Sequence, residues 1–183
     1  SDMIELLRIF ASDDRLYRWA KELLATSFPS CERRDDDLQK TVMAHPDYRL
    51  CIISDSGEPV GVAGYFDAPD FVYFENFCIS PDKRNCGYGG AALKLLTSNI
   101  RKPFILEIEP PNDELTRRRL AFYLRNGMVV NPYPHIQPHY RKDDPDLPLV
   151  VLSFHRQISP EQYSAFRAYL DENVDVRHME IKN

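Results

Sequence analysis

The chain has 183 residues and a formal net charge of −5; hydrophobic residues make up 43% and charged residues 28%. That is the balance of a soluble globular protein with a sizeable core. It argues against nucleic acid as a main partner, because phosphate neutralisation needs a basic stripe, and no apolar run approaches the roughly 18 residues of a membrane span.

The elements are expected in chain order as follows. "MIELLRIF" reads as a first strand and, with no basic stretch ahead of an apolar one, not as a signal peptide. Ser12 can cap the next helix, with Asp13 and Asp14 in its first turn. Leu16, Trp19, Ala20, Leu23, Leu24 and Phe28 recur on one helical face. A shorter helix over about 35–45 ends before Pro46. "YRLCIIS" and "PVGVAGYF", joined by "DSGE", form an antiparallel hairpin, and "DAPD" turns into "FVYFENFCI" to complete a meander. After a glycine cluster come a helix (89–101), the strand "PFILEIE", a helix (112–126), the strand "GMVVNPY", a loop and the strand "PLVVLSF". A C-terminal helix at about 159–174 carries a capping box with Ser159 at N-cap, Pro160 at N1 and Gln162 at N3. Its apolar face is Tyr163, Phe166, Leu170 and Val174. No repeat or linker interrupts the chain, so residues 1–183 read as a single domain of mixed α/β type.

Cys31, Cys51, Cys78 and Cys86 form no CxxC pair, so no zinc site is expected. Cys51 and Cys78 lie in apolar runs and read as small core residues; together the thiols point to a reducing, cytoplasmic setting. His135 and His139 are four apart, but the prolines around them forbid the helix that would make such a pair a metal site.

The segment "RNCGYGGAALKLL" holds three of the seven glycines, Gly87, Gly89 and Gly90. Glycine lets the backbone come close to a ligand, and a helix start offers unpaired N–H groups and the positive end of its dipole, so the pattern suggests a phosphate cradle. "GYGGAA" fits G-x-G-x-x-A, and Glu107 and Glu109 follow about 20 residues on, as in a dinucleotide site. Yet "SPDKRNC" separates the strand from the glycines, and a meander precedes them instead of a parallel βαβ unit. Walker A fails because no G-K-[ST] follows.

"RNCGYG" resembles the Arg/Gln-x-x-Gly-x-Gly/Ala signature of the GCN5-related N-acetyltransferase (GNAT) superfamily, and "RRRLAFYLRNGMVV", with Tyr123 and Gly127, resembles its later helix-then-strand signature. The resemblance covers nearly the whole chain and implies a mostly antiparallel central sheet flanked by helices, with a central βαβ after the meander. It implies acetyl-CoA as co-substrate. Arg84, Asn85, Cys86, Gly87, Tyr88, Gly89 and Gly90 would form the pyrophosphate loop, with Arg84 shaping it or touching a phosphate. The backbone of Phe77, Cys78 and Ile79 would bond the pantetheine arm like an added strand. The arm would then lie between "FVYFENFCI" and "PFILEIE". Tyr123 is the implied acid for the leaving thiolate, against a reading as a plain core aromatic. Glu107 stands where some relatives carry a catalytic glutamate; Glu75 is its rival, and a water chain is a third route. The family's Asn, seven residues before the Tyr, is here Thr116; Asn112, four residues earlier, is a cofactor contact or, more simply, a helix N-cap.

The loop "NPYPHIQPHYRKDDPDLP", with His135, His139 and Tyr140, is expected to line the acceptor site or to be a bland surface loop. Three functions follow: transfer of acetyl to a small-molecule or peptide primary amine by direct attack on the thioester, a non-catalytic acyl-CoA-binding module, or a dinucleotide enzyme. No metal, nucleic acid or membrane partner is expected, and a homodimer is left open. The negative charge faintly favours cationic amines.

Overall fold

The computed structural model describes residues 3–12 and 14–179. They fall into two compact units, Ser1–Lys102 and Pro103–Asn183. The chain is mixed α/β, its sheet mostly antiparallel and flanked by helices. No helix among the described residues is long and apolar enough to cross a membrane.

The first unit contains β1 (Ile4–Ile9), α1 (Arg15–Ser27), α2 (Asp36–Val42), β2 (Tyr48–Asp55), β3 (Glu58–Asp67), β4 (Val72–Ile79) and α3 (Tyr88–Thr97). Strands β1 to β4 pair in sequence order, each antiparallel to the next, because every connection from β2 onward is too short for a crossover. Their buried residues form the core with Leu93 of α3: Leu50, Ile52 and Ile53 of β2, Val62 and Phe66 of β3, and Tyr73 of β4. Phe66 stands edge-on to Tyr48 and stacks on Tyr73, an arrangement that aromatic quadrupoles favour. Gly61 lets β3 lie tight against β4: a Cβ there would sit 2.5 Å from the Cys78 carbonyl oxygen.

The N-cap of α1 is Asp14, not Ser12; its carboxylate accepts from the Leu16 N–H at 2.8 Å. Asp13 lies outside the described residues. Tyr17, which the periodicity leaves off that face, is buried, while Trp19 is only half-buried. Helix α3 ends at Thr97 instead of 101. There Thr97 and Ser98 hydroxyls bond back to the Leu93 and Leu95 carbonyls, which competes with further helix.

The second unit contains β5 (Phe104–Ile108), α4 (Glu114–Arg125), β6 (Met128–Val130), β7 (His135–Ile136), β8 (Pro148–Phe154), α5 (Pro160–Asn173) and α6 (Val176–Met179). β8 pairs antiparallel with β5 on one side and with β6 and β7 on the other. Phe104, Ile105, Met128, Leu152 and Phe166 are among its most buried large residues. The capping box of α5 forms as the sequence predicts, Ser159 with Gln162. β6 is shorter than "GMVVNPY": the Asn131 side chain turns inward to Ser153 and to the Ile158 N–H, and a proline follows. The short β7 falls within the segment expected to be loop.

Candidate active site

The first unit carries the glycine loop. After β4 the chain makes one 3₁₀ turn, Pro81–Lys83, and then two left-handed residues, Asn85 at φ +62° and Gly87 at φ +82°, on either side of Cys86. Asn tolerates that region and Gly has no penalty there, so the sequence selects the bend. A left-handed residue followed by a helical one, as Gly87 and Tyr88 are, turns successive N–H groups to one side, a concavity suited to an anion. Gly87 is the N-cap of α3 and no side chain caps the helix, so its first N–H groups are left for another acceptor. A Cβ on Gly87 would meet nothing within 4 Å, so the backbone is uncrowded at that point.

Side chains brace the loop from behind. Arg84 Nε donates to the Ile79 carbonyl at 3.3 Å, which is loop shaping. The Tyr88 hydroxyl donates to Asp55 Oδ2 at 2.7 Å, and Lys83 pairs with Glu58 at 3.0 Å, so both ends of the β2–β3 turn hold the loop. Hydrogen bonding to Asp55, then burial, raises the Tyr88 phenol pKa and keeps it a donor. Cys86 is exposed and its thiol lies 3.5 Å from the Arg84 carbonyl. Gly89 and Gly90 fall in the first turn of α3.

On β4, the Cys78 thiol is buried and desolvation pushes its pKa up to about 11. It is therefore a neutral thiol at physiological pH and no nucleophile. Phe77, Cys78 and Ile79 pair with Ala63, Val62 and Gly61. One step back the register slips: Phe74 and Asn76 face Tyr65 and Gly64, which leaves Glu75 as the extra residue of a bulge. Its carboxylate turns inward to a two-pronged pair with Arg34, one bond at 2.7 Å, with side chains 1% and 6% exposed. The Arg34 guanidinium lies 5.8 Å from the Phe66 ring centre and 5.9 Å from that of Tyr48. Burial, then the Glu75 charge, raises the Tyr48 phenol pKa well beyond its usual value. Glu75 is thus committed to a buried ion pair, a poor starting point for a base.

The second unit holds the other candidates. Glu107 faces Val151 across the β5–β8 ladder, and His135 faces Leu149 across β7–β8. Leu149 and Val151 are two residues apart, so Glu107 and His135 share one face of the sheet. Their side chains meet there: His135 Nε2 bonds Glu107 Oε2, and His135 Nδ1 bonds the Tyr163 hydroxyl at 2.8 Å. Glu107 and His135 side chains are 7% and 0% exposed.

Tyr123 is buried on α4, edge-on to Phe122. Asn112 is exposed and is not the cap of α4: Asp113 is, in a reciprocal box with Thr116, whose N–H reaches Asp113 Oδ1 at 2.8 Å. Thr116, at the family's Asn position, is therefore engaged in capping.

His139 and Tyr140 sit in a clasp and not on an open wall. His139 bonds Asp175 through Nδ1 at 2.8 Å and Asp146 through Nε2 at 2.7 Å. Tyr140 is 3% exposed, and its N–H donates to Asp144 Oδ2 at 3.1 Å. The sequence reading missed Asp55, Arg34, Tyr163 and Asp175. Only Tyr163 had a visible signal, a hydroxyl on an otherwise apolar helix face; the others meet their partners across 33, 41 and 36 residues.

The model of the acetyltransferase (GNAT) family matches residues 14–128. No curated protein matches the chain. Among solved structures, an acetyltransferase from the GNAT family of Bacteroides thetaiotaomicron is 31% identical, with 93% of this chain and 98% of that chain covered and a TM-score of 0.87. A GNAT family acetyltransferase from Elizabethkingia anophelis with acetyl-CoA bound is 15% identical over 84% of this chain and 99% of its own, TM-score 0.57. An aminoglycoside 6′-N-acetyltransferase complexed with coenzyme A is 13% identical over 81% and 95%, TM-score 0.60.

Proposed function

The chain belongs to the GNAT acetyltransferase family, and from that premise we propose that it moves an acetyl group from acetyl-CoA to a primary amine by direct attack on the thioester. The observation that carries this reading is the loop from Arg84 to Gly90, with Asn85 and Gly87 left-handed ahead of an uncapped helix. Its N–H groups suit the pyrophosphate of coenzyme A, and no neighbouring atom crowds Gly87. The thioester supplies an acyl carbon with a good leaving group.

The residues of this chain supply the rest. An ammonium has no lone pair, so one proton must be taken from the acceptor; Glu107, with the His135 it bonds, is assigned that task. Tyr123 is assigned the proton that the leaving thiolate takes up. Thiols and phenols have ordinary pKa values of about 8.5 and 10, so that transfer is slightly uphill, and Tyr123 accelerates without being indispensable. Backbone N–H groups near Cys78 and Ile79 are assigned the oxyanion. The neutral Cys78 thiol fits direct attack and not an acyl-enzyme on that sulfur. A small cationic amine is the favoured acceptor class for a chain of net charge −5, and the aminoglycoside enzyme among the similar structures acts on amines by its name.

One observation favours a second reading, an acyl-CoA-binding module without turnover: both candidate bases are already bonded, Glu75 to Arg34 and Glu107 to His135. Thermal-shift titration with acetyl-CoA, coenzyme A and NAD, followed by free-thiol release with a panel of polyamines, aminoglycosides and peptide amines, tests both. Stabilisation by coenzyme A and amine-dependent thiol release is the expected result. Stabilisation without release on any amine supports the module, and stabilisation by NAD alone overturns both.

A further inference from the structure

The buried cluster behind β5 has more parts than a lone base needs. Glu107, His135 and Tyr163 come from β5, β7 and α5, and form an unbroken hydrogen-bonded row. The imidazole is held at both nitrogens and on one face: its plane stacks on Phe166 at 5.7 Å, and its partner Tyr163 is itself stacked on Tyr133 at 4.7 Å. With a fully buried ring, a proton reaches His135 only through one of its two bonded partners.

Tyr163 has two acceptors within reach of its single hydrogen, His135 Nδ1 at 2.8 Å and the Pro134 carbonyl at 3.1 Å. That choice makes two protonation states equally well bonded. With a neutral imidazole, Nε2–H donates to Glu107 and the Tyr163 hydroxyl donates to Nδ1. With an imidazolium, Nε2–H still donates to Glu107, Nδ1–H donates to the Tyr163 oxygen, and the hydroxyl swings to Pro134. One proton can enter and leave with no buried polar group left unpaired.

Resting on the acetyltransferase reading above, we infer that Glu107, His135 and Tyr163 form a proton relay: His135 Nδ1 is the base, Tyr163 passes it the acceptor's proton, and Glu107 is the counter-charge. The acceptor N–H bond breaks as its proton joins the Tyr163 oxygen, while the Tyr163 O–H proton moves to Nδ1. The freed nitrogen lone pair forms the C–N bond. The thiolate departs with the C–S electrons and takes up the second amine proton through Tyr123. The imidazolium then returns its proton through Tyr163 to water, so an ammonium acceptor yields amide, thiol and one released proton. Tyr163 is half-buried and so forms the outer end of the row. Burial raises its phenol pKa, with Arg167 opposing and Glu107 adding, so it remains a hydroxyl able to pass a proton. The charged groups facing the row are Glu107 from β5 and, from α5, Arg167 and Asp171, which pair with each other at 2.9 Å.

The test is the pH–rate profile of kcat, with the best amine found above, for Tyr163→Phe, His135→Gln and Glu107→Gln. Tyr163→Phe keeps the ring against Tyr133 and Phe166 and removes only the hydroxyl. The relay predicts at least about a 10-fold loss of kcat in Tyr163→Phe and in His135→Gln. The KM for acetyl-CoA should stay unchanged. Glu107→Gln keeps an acid limb but moves it to lower pH, because the imidazolium has lost its counter-charge. A Tyr163→Phe enzyme with wild-type kcat, or a Glu107→Gln enzyme whose acid limb vanishes while His135→Gln keeps it, overturns the relay and leaves Glu107 as direct base. A wild-type protein that binds coenzyme A but turns over no amine removes the reading on which the relay rests.

Discussion

The Tyr88 hydroxyl donates to Asp55 Oδ2 at 2.7 Å and so joins the first residue of α3 to the last residue of β2. The bond ties the start of α3, and with it the loop, to the β2–β3 turn. Tyr88→Phe and Asp55→Ala should each raise the KM for acetyl-CoA by about five-fold and leave kcat within about two-fold, since only loop placement is lost. The double variant should be no worse than either single one, because both remove the same bond. Additive effects in a steady-state cycle would show that the two residues act separately.

Gly87 bears on the same loop through its backbone. Its φ of +82° resists any L side chain, and a β-branched one most. Gly87→Val should lose coenzyme A binding by isothermal titration while far-UV circular dichroism stays unchanged. Since a Cβ there meets open space, the fault is local to the bend and does not spread into the core. Unaltered affinity in a folded variant would remove the phosphate-loop assignment.

Arg34 and Glu75 separate stability from chemistry. Removing Arg34 leaves a buried carboxylate without its main counter-charge, so Arg34→Met should cost about 3–5 kcal/mol in urea unfolding. Glu75→Gln should lower Tm yet leave the shape of the pH–rate profile intact. A displaced acid limb in Glu75→Gln would instead return Glu75 to the base role.

Tyr123→Phe retains the buried ring and deletes the hydroxyl. If that hydroxyl protonates the thiolate, kcat falls by about 10²- to 10⁴-fold and coenzyme A affinity holds. A core aromatic without a chemical role would give near-wild-type kcat, and the acid would have to be water.

Much of the fold was legible because local chemistry dictates it. The meander follows from short turn-rich connections, and α5 from a capping box read directly in Ser159 and Gln162. The loop was legible because Gly87 is a backbone requirement. What escaped were pairings across distance. Nothing near Glu75 announces a bulge or Arg34, and nothing near His139 announces Asp175. Asp113 displaced Asn112 as cap because only its carboxylate completes the exchange with Thr116. His135, His139 and Tyr140 looked like a polar loop because one sequence does not say which side chains turn inward.

Asp175 gives the acid-side prediction. Burial opposes its charge, but the His139 N–H at 3.0 Å, the His139 ring at 2.8 Å and the Arg177 N–H at 3.0 Å outweigh it, so its pKa lies below the ordinary 3.8. A carboxylate with a depressed folded pKa adds stability above its unfolded value and loses it as pH falls through the folded one. Asp175→Asn should therefore destabilise at neutral pH by about 1–3 kcal/mol, the cost of weakening a charged buried acceptor. The gap between wild type and variant should stay constant down to the ordinary 3.8 and close below it. Because Asp175 ties His139 to the start of α6, the loss should appear first as hydrogen exchange in residues 139–147 and 175–178. Urea unfolding from neutral pH to about pH 2.5 measures it. A gap that persists unchanged at the acid end would mean that Asp175 contributes through shape alone and that its charge is immaterial to the clasp.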